Sequence, residues 1–380
     1  MVIDLAPSFE IGPIRPPSEA YSLLLRVTRN CPWNKCIFCH TYKGQKFELR
    51  TVDEVKKDID TARRIYEDLQ IIARRYDGDI KKAAIFILNN PPNESYYNVA
   101  LWQYAGGENV FLQDANSLIL PTDDLEEILK YLKATFPGIK RITSYARSHT
   151  ASRKTVDELR RLHEAGLSRL HLGLESGYDA LLQYMNKGVT AAQHIQGGKN
   201  VVASGISLCE YVLLGLGGKT MWREHALETA RVLNEINPDY VRVRTLTVKK
   251  PMPLWDEVQK GNFVQSSDEE IIREERLLLE NLTCTSNFVS DHTTNLLQEL
   301  EGKLPDDKEK FLAVIDRYLS LPPEKKKHFE VGRRTCIYET LDDLNNPFKR
   351  QQVDDFIRRI THNGGEVNDK IIRRLMEAFI

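Results

Sequence analysis

The chain has 380 residues, a formal net charge of -1, and 41% hydrophobic and 28% charged residues. This composition allows a full core and argues against disorder or nucleic-acid binding through an overall positive charge. No apolar run reaches the roughly 18 residues of a membrane span, and no secretory signal precedes the core, so we expect a soluble cytoplasmic protein.

Strand and helix patterns begin to alternate near residue 21. An apolar strand is predicted at 21–28, and after a loop the pair Thr51 and Glu54 marks the start of a helix that runs to about residue 75. Residues 76–109 break this alternation with prolines, asparagines and aromatic residues, which we interpret as a helical insertion. The second strand is predicted at 110–113.

Four more strands follow, each preceded by a helix. They are predicted at 141–146, 168–175, 207–214 and 240–248. Strands that alternate regularly with helices predict an α/β fold in which parallel strands form a partial (β/α)6 TIM-like barrel. Residues 251–380 predict helix without strand. The predicted domains are therefore an N-terminal extension (1–20), the barrel (21–250, with the insertion at 76–109) and an α-helical C-terminal extension (251–380).

Three cysteines occupy the loop after the first strand: Cys31, Cys36 and Cys39. Thiolates at this spacing favour a soft metal, and a 4Fe-4S cluster held by three cysteines keeps one iron open to a ligand. A zinc site with His40 as the fourth ligand is an alternative. A 2Fe-2S centre is another, although it needs a fourth cysteine and the next one is Cys209. Disulfides are not expected in a chain with so few cysteines and no secretory signal.

Polar residues also collect where the other strands end. The carboxyl ends of parallel strands meet at one mouth of a barrel, and ligands bind there. Arg242 and Arg244 alternate with Val241 and Val243, so both arginines share one face of the last strand. In the C-terminal region the notable polar cluster is 290–292, with the sequence Ser-Asp-His.

The motifs together resemble the radical S-adenosylmethionine (radical SAM) superfamily. The similarity is to the branch with anaerobic coproporphyrinogen oxidases, elongator-type acetyltransferases and methylthiotransferases. It covers about residues 21–248 and rests on the cysteine loop, the repeated strand–helix order, and the motifs LGLESG (172–177), MNKG (185–188) and YVLLGLGG (211–218). The family more often has Cys-x3-Cys-x2-Cys than the Cys-x4-Cys-x2-Cys of this chain.

The resemblance implies that Cys31, Cys36 and Cys39 hold a 4Fe-4S cluster whose open iron binds S-adenosylmethionine. It implies that Phe38 packs near the adenine, and that Asp114 and Asn116 replace the usual Gly-Gly-Glu motif and bind the amino group of the cofactor. The literal Gly-Gly-Glu at 106–108 precedes its strand and is not taken as that motif.

The remaining cofactor-binding residues are also implied by the resemblance. Glu175 contacts the ribose or methionine end, Lys187 pairs with the methionine carboxylate, and Gly215 lets the backbone approach the adenine. The others expected at the mouth are Ser144, Arg242 and Arg244.

The resemblance implies an oxygen-sensitive enzyme that cleaves S-adenosylmethionine reductively to a 5′-deoxyadenosyl radical, which removes hydrogen from a substrate. A ferredoxin- or flavodoxin-type electron donor and a small-molecule or peptide substrate are implied as partners, and no membrane. A nucleic-acid substrate is less favoured, because no basic C-terminal barrel is present. The alternatives are a non-catalytic iron-sulfur or zinc protein, and an RNA-modifying or acyl-transferring enzyme with a structural cluster.

Overall fold

The structure is a computed structural model that describes residues 6–361 and 367–377. The chain forms two compact units. Of the described residues, the first unit contains 6–34, 41–172 and 196–208, and the second contains 35–40, 173–195, 209–361 and 367–377. The predicted start of the N-terminal extension and the end of the last predicted helix lie partly outside the described residues.

The strands, in chain order, are β1 (Leu23–Arg26), β2 (Thr28–Arg29), β3 (Glu48–Leu49), β4 (Asn109–Gln113), β5 (Arg141–Ala146), β6 (Leu167–Glu175), β7 (Ser207–Leu214), β8 (Tyr240–Thr245), β9 (Asn287–Val289) and β10 (Glu301–Lys303).

The helices, in chain order, are α1 (Val52–Ala73), α2 (Ile80–Asn89), α3 (Glu94–Tyr104), α4 (Thr122–Thr135), α5 (Ser148–Ala151), α6 (Val156–Glu164), α7 (Asp179–Tyr184), α8 (Ala191–Ser204), α9 (Gly218–Ile236), α10 (Pro253–Gln259), α11 (Asp268–Asn281), α12 (Lys308–Leu319), α13 (Pro323–Arg334), α14 (Pro347–Ile360) and α15 (Asp369–Glu377). Short 3-10 turns lie at Pro17–Glu19, Arg74–Tyr76, Ser117–Ile119 and Leu341–Asn345.

In the first unit, parallel strands pair in the order β1-β4-β5-β6. The apolar face of α1 is completely buried, and a capping box between Thr51 and Glu54 starts this helix. In the insertion, Trp102 of α3 packs edge-on against Phe136, with ring centroids 5.1 Å apart. Asn98 of α3 accepts a hydrogen bond from the backbone N–H of Leu24 (3.0 Å), which fastens the insertion to β1.

In the second unit, the strand order is β7-β8-β9-β10. The strands β7, β8 and β9 are parallel, and β10 returns antiparallel to β9. The C-terminal helices form an aromatic core in which the ring of Phe329 stacks on that of Tyr338, with centroids 6.0 Å apart. Both side chains are completely buried.

The predicted α/β class with parallel strands is confirmed, and all six strands predicted for the partial barrel are present. The C-terminal region is mainly helical, but β9 and β10 correct the expectation that it lacks strands. The predicted domain boundaries stay predictions. Within the residues that the structure describes, no helix has both the length and the apolar character needed to cross a membrane.

Candidate functional site

The loop that contains the three cysteines begins and ends at two paired strands of the first unit. The strands β2 and β3 pair antiparallel and bring Arg29 opposite Glu48, so that residues 30–47 form a loop with adjacent ends. Asn30 and Asn34 both have positive φ angles, of 68° and 50°. The side-chain amide of Asn30 donates to the carbonyl of Lys46 (2.6 Å), which ties the outgoing chain to the returning chain.

Asp114 follows β4 and joins both ends of this loop. Its carboxylate accepts hydrogen bonds from the backbone N–H of Asn30 (2.9 Å), the hydroxyl of Tyr42 (2.9 Å) and Nε of Arg26 (2.6 Å). The side chain of Asp114 is completely buried. Burial, followed by the negative charge of Asp114, raises the pKa of Tyr42 far above its ordinary value, so this hydroxyl keeps its proton.

A charge network lies next to Asp114. Arg26 and Arg29 each contact the carboxylate of Glu10 at 2.7 Å. Burial acts to raise the pKa of Glu10, but hydrogen bonding from Arg29 and the charges of Arg50, Arg29 and Arg26 outweigh it and lower that pKa. Glu10 is therefore ionised at neutral pH, and its negative charge compensates the positive charges of Arg26 and Arg29 beside the loop.

The three cysteines form no disulfides and are partly exposed. Cys31 lies in the first unit, where its sulfur accepts a hydrogen bond from the N–H of Asn34 (3.4 Å). Cys36 and Cys39 lie in one turn of the second unit, with a hydrogen bond from the N–H of Cys39 to the carbonyl of Cys36 (3.4 Å). Both pack against an apolar cluster that contains Phe38.

The turn that carries Cys36 and Cys39 is fixed by backbone hydrogen bonds. The N–H of Ile37 donates to the carbonyl of Met185 (3.1 Å), and its carbonyl accepts from the N–H of Leu254 (2.9 Å). Met185 directly precedes Asn186 and Lys187, so this contact brings the 185–188 motif to the cysteine turn.

Among residues 6–361 and 367–377, no group of three or more His, Cys, Asp or Glu side chains is close enough to hold a metal ion. His40, the alternative zinc ligand, has a lowered pKa because of burial and the charges of Lys249 and Arg244. Cysteine thiolates are the donors that a 4Fe-4S cluster requires, and this loop contains three cysteines.

Glu175 and Lys187 form an ion pair in the second unit, with 3.0 Å between Oε1 and Nζ. The ammonium lies 5.7 Å from the ring centroid of Phe38, within the range of a cation–π contact. Gly173 lies against this pair, and a Cβ at this position would lie 2.6 Å from Oε1 of Glu175 and 3.0 Å from Nζ of Lys187, so it would displace the ends of these side chains. Three residues predicted at the site are thus brought together.

Gly215 has a φ of +79°, and its N–H donates to Oε1 of Glu274 in α11 (2.7 Å). Glu274 is completely buried. Burial raises its pKa to about 8, although the hydrogen bond from Gly215 acts to lower it. No local sequence pattern predicts this contact, because Glu274 lies 59 residues further along the chain.

Asn116 and Ser144, the other two polar residues predicted in the first unit, form hydrogen bonds with other residues of the protein. Asn116 donates to Thr150 (2.8 Å) and accepts from the N–H of Arg147 (3.1 Å). Ser144 contacts the hydroxyl of Ser117 at 2.6 Å. Both side chains are buried, and these contacts hold the ends of β4 and β5. Their cofactor contacts stay predictions.

At the end of β8, Arg242 and Arg244 lie near the polar cluster at 290–292. Nη1 of Arg242 is 3.5 Å from Oδ2 of Asp291. The Nε and Nη1 atoms of Arg242 and the Oδ1 atom of Asp291 are buried without hydrogen-bond partners among the described residues. His292 has its pKa lowered to about 4 by burial and by the charges of Arg244 and Arg242, so its imidazole is neutral.

Part of the chain is similar to a known protein family. Residues 91–230 match the family model described as the radical SAM superfamily. An uncharacterized protein of Methanocaldococcus jannaschii, MJ0486, is 24% identical over 155 residues, which are 40% of this chain and 47% of that protein. The match thus spans about half the length of this curated relative.

Three solved structures are also similar. Elp3 of Methanocaldococcus infernus is 15% identical, with a TM-score of 0.41 over 55% of this chain and 54% of that chain. Methylornithine synthase PylB is 15% identical, with a TM-score of 0.42 over 70% and 66%. The cobalamin-dependent S-adenosylmethionine radical enzyme OxsB, solved with S-adenosylmethionine, is 14% identical, with a TM-score of 0.46 over 93% and 52%.

Proposed function

Because residues 91–230 match the family model of the radical SAM superfamily, we propose that this chain is a radical SAM enzyme that binds a 4Fe-4S cluster and S-adenosylmethionine. The observation that carries the proposal is the loop after the first strand of the parallel sheet, which contains three partly exposed cysteines that form no disulfides. This loop precedes the residues that match the family, so the match and the loop are independent support.

Cys31, Cys36 and Cys39 are the residues that we propose as ligands of the cluster. Their thiols suit it because none is in a disulfide and all are partly exposed. When bound, a cluster of this kind supplies the electron that cleaves S-adenosylmethionine reductively and so initiates removal of hydrogen from a substrate. The protein binds the cofactor and the substrate, orients them relative to each other, and excludes water and oxygen from the site.

Phe38, Glu175 and Lys187 are proposed to bind the cofactor beside the cysteine turn. The aromatic ring offers an apolar face to the adenine, while the ammonium of Lys187 offers a charge to the methionine carboxylate. The contact between Glu175 and Lys187 holds that ammonium in place. Gly215, held by Glu274, is proposed to let the backbone approach the cofactor.

Asp114 is proposed to act as a positioning residue. Its carboxylate is buried and already accepts three hydrogen bonds, two of them from residues that flank the cysteines. A direct hydrogen bond to the cofactor, which the resemblance implies, would compete with these contacts. The contacts therefore favour a role in holding the loop that carries Cys31.

Further parts of the proposal follow from the cluster. Thiols that must stay reduced suit a cytoplasmic location and an oxygen-sensitive enzyme. A ferredoxin- or flavodoxin-type donor is proposed as the source of electrons. A small molecule or a peptide is proposed as the substrate.

Anaerobic reconstitution with iron and sulfide, followed by iron analysis and electron paramagnetic resonance, tests the cluster. We expect about four irons per chain and a reduced-cluster spectrum that changes when S-adenosylmethionine is added. Cys31→Ala, Cys36→Ala and Cys39→Ala should each remove most of the iron, whereas the matched control Cys284→Ala should not. Protein that retains a single zinc and no iron would refute the proposal.

A further inference from the structure

Two arginines lie on one face of β8 near its carboxyl end. Val241 and Val243 are completely buried, and a strand alternates its side chains, so Arg242 and Arg244 lie on the opposite face. The strand is parallel to β7 over its whole length. Ligands of parallel α/β proteins bind at this end of the strands.

The guanidinium of Arg242 is only partly matched by the protein, through a side-chain hydrogen bond with Tyr211 and the nearby carboxylate of Asp291. Its side chain is only 12% exposed, yet Nε and Nη1 have no hydrogen-bond partner within the described part of the chain. The carboxylate of Asp291 lies 3.5 Å from Nη1, further than the 2.7–2.9 Å typical of a charge-assisted hydrogen bond. Leaving buried donors without acceptors is costly, so this geometry is expected where a ligand supplies the acceptors.

The backbone that carries both arginines is held in place. Strand β9 pairs with β8 only as far as Arg242. Beyond that point the buried side chain of Asn295 continues the pairing: it donates to the carbonyl of Val243 (2.9 Å) and accepts from the N–H of Thr245 (2.8 Å). The arginines therefore need little ordering to bind a ligand.

His292 adds a third donor. The N–H of Thr294 donates to Nδ1 of His292 (3.1 Å), so Nδ1 must be unprotonated. The proton of the neutral imidazole then lies on Nε2. The charges of Arg242 and Arg244 act on this ring and favour its neutral form. The 290–292 cluster, whose role the sequence did not indicate, thus lies near the arginines.

We propose that Arg242, Arg244 and His292 form a subsite that binds a carboxylate or phosphate group of the substrate. Arg242 has one carboxylate partner, Asp291, and the charges of Arg244 and Arg242 both act on His292, so positive charge is concentrated at this end of the strand. The planar guanidinium binds both kinds of oxyanion through paired hydrogen bonds. This inference rests on the proposed function, to which it adds the chemical class of the substrate.

Isothermal titration of the reconstituted full-length protein with inorganic phosphate and, separately, with succinate tests the subsite. We expect saturable binding of at least one of these anions. Arg242→Gln and Arg244→Gln should each weaken that binding about tenfold or more, which corresponds to one lost charged hydrogen bond. Arg231→Gln, at an exposed arginine of α9 with its own acidic partners, is the matched control and should bind like the unchanged protein.

Failure of the unchanged protein to bind either anion would overturn the proposal. So would equal affinity in the unchanged protein and in both variants. Circular dichroism establishes that each variant folds. If Arg242→Gln does not fold, Arg244→Gln decides the matter, because Arg244 is exposed.

Two further measurements show whether the bound anion stands for a group of the substrate or of the cofactor, and distinguish failure of this proposal from failure of the proposed function. If saturating S-adenosylmethionine displaces the anion, and Arg244→Gln weakens S-adenosylmethionine binding about tenfold, the group bound here is the cofactor's carboxylate and the substrate assignment is overturned. Binding of both together supports a substrate subsite. The anion titrations involve no turnover, so loss of cofactor cleavage with intact anion binding would refute the proposed function alone.

Discussion

The carboxylate of Asp114 contacts residues that are 88, 84 and 72 positions away in the chain. These contacts make it the point at which the cysteine loop is joined to the sheet of the first unit. Because the side chain is completely buried and paired with Arg26, losing its charge leaves that arginine less well compensated. Because Asp114 also binds Asn30 and Tyr42, we expect the loss of its charge to destabilise the cysteine loop.

Asp114→Asn is expected to destabilise the protein by about 2–4 kcal/mol, the order expected for a buried charge pair that loses one partner. Amide hydrogens in residues 30–46 should exchange faster, in the isolated as well as in the reconstituted protein, as measured by mass spectrometry. Asp123→Asn, at an exposed carboxylate of α4, is the control. Unchanged exchange in 30–46 would show that Asp114 does not hold the loop.

Lys187→Gln tests the proposed cofactor contact. Loss of one charged hydrogen bond, about 1.5–3 kcal/mol, should weaken S-adenosylmethionine binding roughly 10- to 100-fold. Iron content should not change, since Lys187 is not a cluster ligand. Equilibrium binding of S-adenosylmethionine to the reconstituted protein measures the effect, with the exposed Lys260→Gln as the control. Equal affinity in the two variants would exclude a role for Lys187 in binding.

At the scale of elements, features that depend on neighbouring residues could be predicted from the sequence, whereas features that depend on distant residues could not. The predicted helix start at Thr51 and Glu54 is confirmed as a capping box, because it depends on residues only three apart. Strands β9 and β10 have three residues each and depend on pairing with distant strands, so no local pattern marks them.

The same distinction holds for the candidate site. The cysteines, Glu175 and Lys187 stand in motifs that the sequence displays. The contact of Gly215 with Glu274 and that of Asp114 with Tyr42 join residues far apart in the chain, so only the fold reveals them. Asp114 was predicted as a site residue, but its partners were not.

Helix α11 buries two neighbouring carboxyl groups, Glu274 and Glu275. Burial, followed by the charge of Glu274, raises the pKa of Glu275 from 4.5 to about 8. Between these values the folded protein keeps a proton that the unfolded chain releases, so stability falls as pH rises. The slope is about 1.4 kcal/mol per pH unit for one such group.

Glu275→Gln should remove this contribution. We expect the free energy of unfolding of this variant, measured relative to that of the unchanged protein in urea titrations, to increase from pH 5 to pH 7.5, so that the variant gains relative stability. The exposed Glu280→Gln on the same helix should change stability little at either pH. Parallel pH dependence in Glu275→Gln and the unchanged protein would contradict the raised pKa.

Gly332 lies within α13, where a glycine normally costs about 1 kcal/mol relative to alanine. Here a Cβ would lie 2.1 Å from the buried ring of Tyr338, so packing outweighs helix propensity. Gly332→Ala should therefore lower the melting temperature. Gly138→Ala, where a Cβ meets nothing within 4 Å, is the control. A melting temperature that rises in Gly332→Ala would show that the ring moves aside at little cost.

At the scale of the whole molecule, the chain combines a parallel α/β fold, a match of residues 91–230 to the radical SAM superfamily and a loop that contains three cysteines. The match covers residues 91–230, whereas the proposed site also uses residues before and after that range. The account therefore depends on whether these parts act together on one cofactor.

The most direct test is to incubate the anaerobically reconstituted protein with S-adenosylmethionine and dithionite and to measure 5′-deoxyadenosine by liquid chromatography with mass spectrometry. We predict that 5′-deoxyadenosine and methionine form, and that Cys36→Ala forms neither. A protein that contains a full complement of iron and sulfide but yields no 5′-deoxyadenosine would contradict the account.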